Sequence, residues 1–239
     1  MSYPLLFLFA LTPSLIWLSF YLRKDRHPEP NRMVIKIFLF GTLITIPAIF
    51  VENSLEGFLS SFFDPKTFIF LALYYVFAVA LVEELLKYIV VRMGALSDSA
   101  LDEPLDVMLY MVISALGFAA LENILLIFKL IADHSLPDIF FVNILRFGEA
   151  ILLHALMSAL WGYFIILSQK HENKRRLFFW SGLAIAVILH GLFDVYITTL
   201  GSLGIFQLLL PLFPLAILGL IISYLFQQVR SQKGLCTTS

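Results

Sequence analysis

Seven apolar stretches, each long enough to cross a membrane, dominate this sequence of 239 residues. A helix needs about 20 predominantly apolar residues to span the hydrocarbon core of a bilayer. The stretches cover residues 4–22, 33–51, 67–91, 105–131, 143–168, 177–198 and 204–226. Hydrophobic residues make up 60% of the chain and charged residues 14%, whereas soluble domains contain about 25% charged residues. The sequence therefore predicts an all-α, polytopic bundle of about seven transmembrane helices, which forms a single integral membrane domain over residues 1–239.

The basic residues fall mainly on one side of the predicted bundle. They flank the first, third and fifth connections and the last stretch: Arg23, Lys24, Arg26, Arg32, Lys36, Arg92, Lys170, Lys174, Arg175, Arg176, Arg230 and Lys233. Only Lys66, Lys129 and Arg146 lie near the other side. Because cytoplasmic loops are enriched in lysine and arginine, we expect the N-terminus outside and the C-terminus in the cytoplasm. Seven spans satisfy this alternation.

Ionisable side chains interrupt four of the apolar stretches. They are Glu83, Glu84 and Lys87 in the third, Glu122 in the fourth, His154 in the fifth, and His190 and Asp194 in the sixth. The five charged groups among them would cost on the order of 12–17 kcal/mol if they were unpaired at the bilayer centre. Such groups are untenable against lipid, so we expect them to face a common cavity lined by protein.

The third and fourth stretches each carry more polar groups than helix packing requires. Lys87 follows Glu83 by four residues and Glu84 by three, so either carboxylate can pair with it along the helix. One acid would neutralise the lysine, and the second is suited to act as a general base. In the fourth stretch, Asn123 alone would provide a packing hydrogen bond. Helix packing therefore does not explain the carboxylate of Glu122.

The fifth and sixth stretches each contain a histidine. His154 is followed by Ser158 and by a glycine at steps of four residues, which makes a small polar face. His190 and Asp194 are also four residues apart and point the same way. A single intramembrane histidine commonly serves as a packing hydrogen bonder. Two histidines at similar depth, each near a carboxylate, favour a ligand role, with Asp194 either binding a metal or orienting His190.

Taken in order, these motifs resemble those of the PrsW-type intramembrane proteases, distant relatives of the prenyl-CAAX endopeptidases. The corresponding segments are Glu83-Glu84-Leu85-Leu86-Lys87, Phe118-Ala119-Ala120-Leu121-Glu122-Asn123, His154 with Ser158 and Gly162, and His190-Gly191-Leu192-Phe193-Asp194. The acidic segment Asp102-Glu103-Pro104-Leu105-Asp106 and Tyr110 match as well, whereas Val107 stands where the family often has glycine. The resemblance covers roughly residues 81–196, which we expect to be the catalytic core.

This resemblance implies a membrane-embedded endopeptidase, classed as metal-dependent, that cuts single-span, membrane-anchored regulators such as anti-sigma factors. The expected metal ligands are Glu122, His154, His190 and Asp194. The expected catalytic residues are Glu83, Glu84, Lys87 and Asn123. Nitrogen and oxygen ligands favour zinc. One of the adjacent glutamates would deprotonate the attacking water, the lysine would tune that pair, and the asparagine would donate a hydrogen bond to the developing oxyanion.

The residues alone leave three other interpretations open. A glutamate-dependent protease without a metal would use the same side chains. A proton-coupled transporter or channel would use the Glu/His/Asp cluster as a relay, although no inverted repeat of the kind found in many transporters is evident. A membrane scaffold without catalytic activity is the third. The net charge of −1 argues against a nucleic-acid partner, so we expect membrane lipid and a membrane-protein substrate as partners, at the cell membrane.

Overall fold

A computed structural model of the chain describes residues 3–25, 27–96, 101, 103–200 and 204–231. Three residues used in the sequence analysis, Arg26, Asp102 and Lys233, lie outside this described part.

The described residues form helices joined by short connections, and none of them forms a strand. The helices are α1 (Tyr3–Leu22), α2 (Asn31–Ser60), α3 (Phe68–Leu73), α4 (Leu81–Gly94), α5 (Pro104–Leu130), α6 (Leu136–Gly148), α7 (Ala150–Lys170), α8 (Arg175–Leu200), α9 (Ile205–Leu209) and α10 (Leu212–Arg230). A π-helical segment, Tyr74–Ala80, joins α3 to α4, and a 3-10 turn, Glu172–Lys174, precedes α8. The predicted all-α class is confirmed.

Seven helical segments in this part of the chain are long and apolar enough to cross a membrane. They are Tyr3–Leu22, Asn31–Ser60, Phe68–Gly94, Pro104–Leu130, Leu136–Lys170, Glu172–Leu200 and Ile205–Arg230. The predicted number of spans is therefore confirmed, and the chain is an integral membrane protein. The orientation of the termini stays a prediction.

Two spans are longer than hydropathy indicated. The second continues nine residues past its predicted end at Val51 and takes in Glu52 and Glu56. The fifth begins at Leu136 and bends at Glu149, whose backbone torsions of φ −117° and ψ −87° separate α6 from α7. Hydropathy misses such extensions because a helix satisfies its own backbone hydrogen bonds whatever side chains it carries.

Helix α5 lies at the centre of the bundle. It begins with Pro104 after a capping box in which the backbone N–H of Glu103 donates to Asp106 Oδ2 at 2.7 Å, an arrangement that satisfies the open N-terminal donors of a helix. Most of its side chains are buried against α1, α2, α4 and α7.

Glycines bring α2 and α5 into backbone contact. A Cβ atom on Gly117 would lie 2.1 Å from the Phe38 carbonyl oxygen, and one on Gly41 would lie 2.2 Å from that of Ser114. Small residues allow membrane helices to approach this closely. Gly41 and Gly117 therefore allow the close contact between α2 and the helix that carries Glu122.

Candidate active site

The seven ionisable side chains singled out from the sequence meet in one cluster inside the bundle. α4 contributes Glu83, Glu84 and Lys87, α5 contributes Glu122, α7 contributes His154, and α8 contributes His190 and Asp194. The π-helical segment ends three residues before Glu83, and π-helical turns frequently accompany functional sites. The side chains expected to face one another therefore lie together in the interior, within contact distance of one another.

The ammonium group of Lys87 lies at the centre of the cluster and is fully buried. It donates to Glu83 Oε2 at 3.0 Å, to Glu84 Oε1 at 2.8 Å and to His154 Nδ1 at 2.7 Å. An ammonium group can only donate, so Nδ1 of His154 is the accepting nitrogen. The opposite nitrogen, Nε2, then carries the hydrogen, and it faces Glu122 Oε2 at 2.8 Å.

Glu84 orients the second histidine. Its Oε1 lies 3.1 Å from His190 Nδ1, and its Oε2 accepts a hydrogen bond from Ser158 Oγ at 3.0 Å. With Nδ1 held in this way, His190 Nε2 faces Glu83 Oε2 at 3.7 Å and Asp194 Oδ2 at 3.5 Å. The two imidazole rings are perpendicular, with centroids 5.0 Å apart.

Glu83, His154 and His190 form a buried group that could hold a metal ion, because one ligand atom from each lies within 4.8 Å of the others. Glu83 Oε2 is 3.5 Å from His154 Nδ1 and 3.7 Å from His190 Nε2. Two ligands at 2.0–2.1 Å from a tetrahedral zinc ion are about 3.4 Å apart. The chemistry of the donor set therefore fits a divalent ion, and both spacings from Glu83 are close to that value.

This group differs from the ligand set expected from the sequence, which contained Glu122 and Asp194. In the structure Glu122 contacts the outer nitrogen of His154, on the side away from Glu83. Asp194 lies beside His190 Nε2 but does not belong to the three-residue group. Glu83, which the sequence suggested as a general base, takes the place beside both histidines.

Glu122 and Asp194 lie at the edge of the cluster. Their side chains are 26% and 22% exposed, whereas those of Glu83, Glu84 and both histidines are at most 5% exposed. Arg146 Nη2 lies 3.9 Å from Glu122 Oε2 at this edge. These two acids are therefore the carboxylates of the cluster that the protein encloses least.

Asn123 does not reach the cluster. Its amide nitrogen donates to the Ala10 carbonyl and to Asn143 Oδ1, each at 2.7 Å, and its Oδ1 accepts from Arg146 Nε at 2.8 Å. Both amide hydrogens therefore form hydrogen bonds that join α5 to α1 and α6. The oxyanion role suggested by the sequence has no support in this geometry.

Two polar residues near the cluster were not included in the predicted site. Ser158, noted only as part of a small polar face, donates to the buried Glu84 carboxylate. Glu52 has a buried Oε1 with no hydrogen-bond partner in the described part of the chain, and its carboxyl group interacts electrostatically with Glu83 and Glu122. Glu52 was missed because the apolar stretch predicted for the second span ends at the preceding residue.

A second acidic group joins the α1–α2 connection to α5. Asp25, Glu29 and Asp106 lie close together and are buried, and the Tyr110 hydroxyl donates to Glu29 Oε2. Burial raises the pKa of the Glu29 carboxyl group to about 8. Asp106 and Tyr110, which match the family pattern, therefore lie in this group and not among the histidines.

Comparisons with known proteins identify one family. The sequence profile described as "PrsW family intramembrane metalloprotease" matches residues 29–223. The "Protease PrsW" of Clostridioides difficile is 34% identical over 193 residues, which are 79% of this chain and 77% of the relative. That of Geobacillus kaustophilus is 32% identical over 188 residues, with 77% and 76% covered, and that of Bacillus subtilis is 27% identical over 207 residues, with 81% and 83% covered. No solved structure gives a significant match.

Proposed function

Since this chain belongs to the PrsW family of intramembrane proteases, we propose that it hydrolyses a peptide bond of a membrane-anchored protein at a metal centre inside the bundle. The observation that carries this proposal is the meeting of Glu83, His154 and His190, from three separate spans, within 4.8 Å of one another. Two imidazoles and one carboxylate are a ligand set found in zinc hydrolases.

Glu83 Oε2, His154 Nδ1 and His190 Nε2 would hold the ion, which we propose to be zinc. When bound, the ion would acidify a water molecule and polarise the scissile carbonyl. Each histidine has a carboxylate on its other nitrogen, Glu122 on His154 and Glu84 on His190. Such partners fix the tautomer and orientation of ligating histidines in metalloenzymes, which supports this assignment of the two faces of each ring.

Asp194 is the residue that we propose as general base. It lies 3.5 Å from His190 Nε2, so a water molecule beside the metal ligands would be within its reach. It would accept the proton of the attacking water and return it to the amine nitrogen of the departing strand. Glu84 is less suited to this step because both of its oxygens are already engaged.

Lys87 has two consequences for the mechanism. Its positive charge neutralises Glu83 and Glu84 in the interior, where an unpaired carboxylate would be costly. It also contacts His154 Nδ1, the nitrogen proposed as a ligand, so binding of an ion requires the ammonium group to move toward the glutamates. This contact favours the second candidate, a glutamate-dependent protease in which lysine takes the place of the metal.

The proposed substrate is a single-span membrane protein, such as an anti-sigma factor, cleaved in the cell membrane. An apolar groove of about 510 Å³ between α7, α8 and α10 supports this choice. Its walls include Leu153, Leu189 and Phe193, the sequence neighbours of His154, His190 and Asp194. A transmembrane segment lying there would contact α7 and α8, the two helices that carry His154, His190 and Asp194.

The test combines metal analysis with cleavage by the purified protein in proteoliposomes. Wild type is expected to contain one equivalent of zinc and to cut at least one of a panel of tagged single-span substrates. His190→Ala and Glu83→Gln are expected to lose both properties, while the control Thr199→Ala on the same span as His190 keeps both. Chelation should stop cleavage and added zinc should restore it. Full cleavage by metal-free wild type would overturn the metal centre in favour of the glutamate-dependent alternative.

A further inference from the structure

A second cavity, remote from the histidines, lies between the end of α4, the end of α7 and the beginning of α8. Its volume is about 730 Å³. Three arginines and two polar residues are among those that line it: Arg92, Arg175, Arg176, Ser168 and Gln169. The sequence predicts this end of the bundle to be cytoplasmic.

The cavity has a strong positive charge that is not neutralised within the described part of the chain. No acidic residue lines it, and none of its three arginines forms a salt bridge with a described residue. Arg92 comes from a segment of the chain more than 80 residues before the other two. The guanidinium groups therefore converge through the fold.

The basic character of cytoplasmic loops does not explain this convergence. The same α7–α8 connection also carries Lys170 and Lys174, and these lysines line a different, neighbouring depression. The basic residues that line the cavity itself are all arginines. Arginine, with five donors in a planar fork, binds phosphate oxygens in a bidentate manner that lysine cannot reproduce.

Aromatic side chains form much of the remaining wall of the cavity. Tyr88 and Phe179 pack against each other and against Trp161, with ring centroids 4.9–5.5 Å apart. Trp161 Nε1 donates to the Phe179 carbonyl at 3.2 Å, and Trp180 lies at the edge of the cavity with 58% of its surface exposed. Exposed tryptophan is typical of the membrane–water interface. The cavity is thus cationic and bounded by aromatic rings, and its exposed tryptophan favours a position at the membrane–water interface.

We propose that this cavity binds a phosphate group, supplied either by the headgroup of an anionic phospholipid or by free phosphate. Basic pockets between transmembrane helices on the cytoplasmic side are suited to phospholipid headgroups. Arg92, Arg175 and Arg176 would hold the phosphate oxygens, with Ser168 and Gln169 as additional donors. This binding is independent of proteolysis, so it is measured without any substrate.

The test compares two double variants of the full chain that lose the same charge from the same connection. Wild type, Arg175→Ala/Arg176→Ala and the control Lys170→Ala/Lys174→Ala are placed in nanodiscs of phosphatidylglycerol or phosphatidylcholine. Each is then extracted, and its retained lipid is counted by native mass spectrometry. Wild type and the lysine variant are expected to retain one phosphatidylglycerol, and the arginine variant at least 10-fold less. Thermal unfolding shows whether each variant is folded. The single variant Arg92→Ala removes a cavity arginine from a different helix and gives a second test of the loss of binding.

A second arm distinguishes the two sources of phosphate. Millimolar inorganic phosphate is added to each detergent-solubilised variant, and binding is followed by calorimetry and by displacement of phosphatidylglycerol. Retention of phosphatidylglycerol against phosphate supports the lipid headgroup, and saturable binding of phosphate that requires the arginines supports the free ion. Equal losses in the arginine and lysine variants would overturn the proposal. Equal retention of phosphatidylcholine and phosphatidylglycerol, together with no binding of inorganic phosphate that requires the arginines, would also overturn it.

Discussion

Replacing Gly191 by alanine tests whether the position of His190 depends on close packing of α8 against the π-helical segment. A Cβ atom at Gly191 would lie 2.7 Å from Val76 Cγ2, 2.8 Å from Val76 Cα and 3.1 Å from the Tyr75 carbonyl oxygen. Carbon atoms in favourable contact are about 3.5–4.0 Å apart. Since two of these three atoms are backbone, the helices must separate by about 1 Å.

That displacement acts directly on the site because His190 is the preceding residue on the same helix. Its imidazole would move away from Glu84 Oε1, now 3.1 Å distant, and from Glu83. A misplacement of about 1 Å can lower an enzymatic rate about 100-fold. Overpacking of a close contact also destabilises a fold by about 1–3 kcal/mol, so we expect a folded but weakly active variant.

The assay is the initial rate of cleavage of a single-span substrate in proteoliposomes, with thermal unfolding measured on the same preparations. Gly219→Ala is the matched control, since a Cβ atom there would meet nothing within 4 Å. We expect wild-type rates for Gly219→Ala and about 1% of the rate for Gly191→Ala. A rate for Gly191→Ala within threefold of wild type, with unchanged zinc content, would refute the reasoning that this contact positions His190.

Three further predictions concern hydrogen bonds and burial outside the ligand group. Ser158→Ala removes a hydrogen bond to the buried Glu84 carboxylate. Hydrogen bonds to charged groups contribute about 1.5–3 kcal/mol, so cleavage should slow about 10- to 100-fold. An unchanged rate would contradict the orienting role of Glu84. Asn123→Ala leaves several buried hydrogen-bond partners unsatisfied and should lower the free energy of unfolding by about 1–3 kcal/mol. The kcat of the folded fraction should stay within a few-fold of wild type. A loss of kcat without a loss of stability would instead support a catalytic role for Asn123. The pKa of the Glu29 carboxyl group rises from 4.5 to about 8 on folding. The unfolded chain therefore loses this proton at a lower pH than the folded protein does, and the free energy of unfolding of wild type should decrease as the pH is raised from 5 to 8. Glu29→Gln should flatten that dependence, and an identical pH profile for the two proteins would contradict it.

The structure brings together the ionisable side chains that the sequence singled out, and their individual roles stay predictions. Glu122, His154, His190 and Asp194 were recognised because ionisable groups in apolar spans are costly and therefore lie together in a shared interior. Spacing along one helix also predicted correctly that Lys87 reaches both glutamates. It could not say which carboxylate lies between the histidines, because that depends on the rotation and depth of four helices relative to one another.

Asn123 is a second case in which the rotation of a helix, which the sequence does not give, decides what a side chain contacts. It directly follows Glu122, but successive helical residues point about 100° apart, so Glu122 faces His154 while Asn123 faces α1 and α6. The helix thus divides this motif between the polar cluster, which Glu122 joins, and helix packing, which Asn123 provides. Glu52 was lost for a different reason, since hydropathy marks where apolar composition ends and not where a helix ends.

By itself, the sequence determined that the chain lies in a membrane, that it crosses about seven times and that four spans carry buried polar chemistry. These properties follow from composition over about 20 residues, and the membrane imposes them one segment at a time. Only the tertiary structure decided that Glu83 joins the two histidines, that Glu84 and Glu122 hold their outer nitrogens, and that three arginines converge at the far end. The reason is geometric: each of these relations joins side chains from helices far apart in the chain, and close contacts such as those at Gly117 and Gly191 set the angles and heights at which those helices meet.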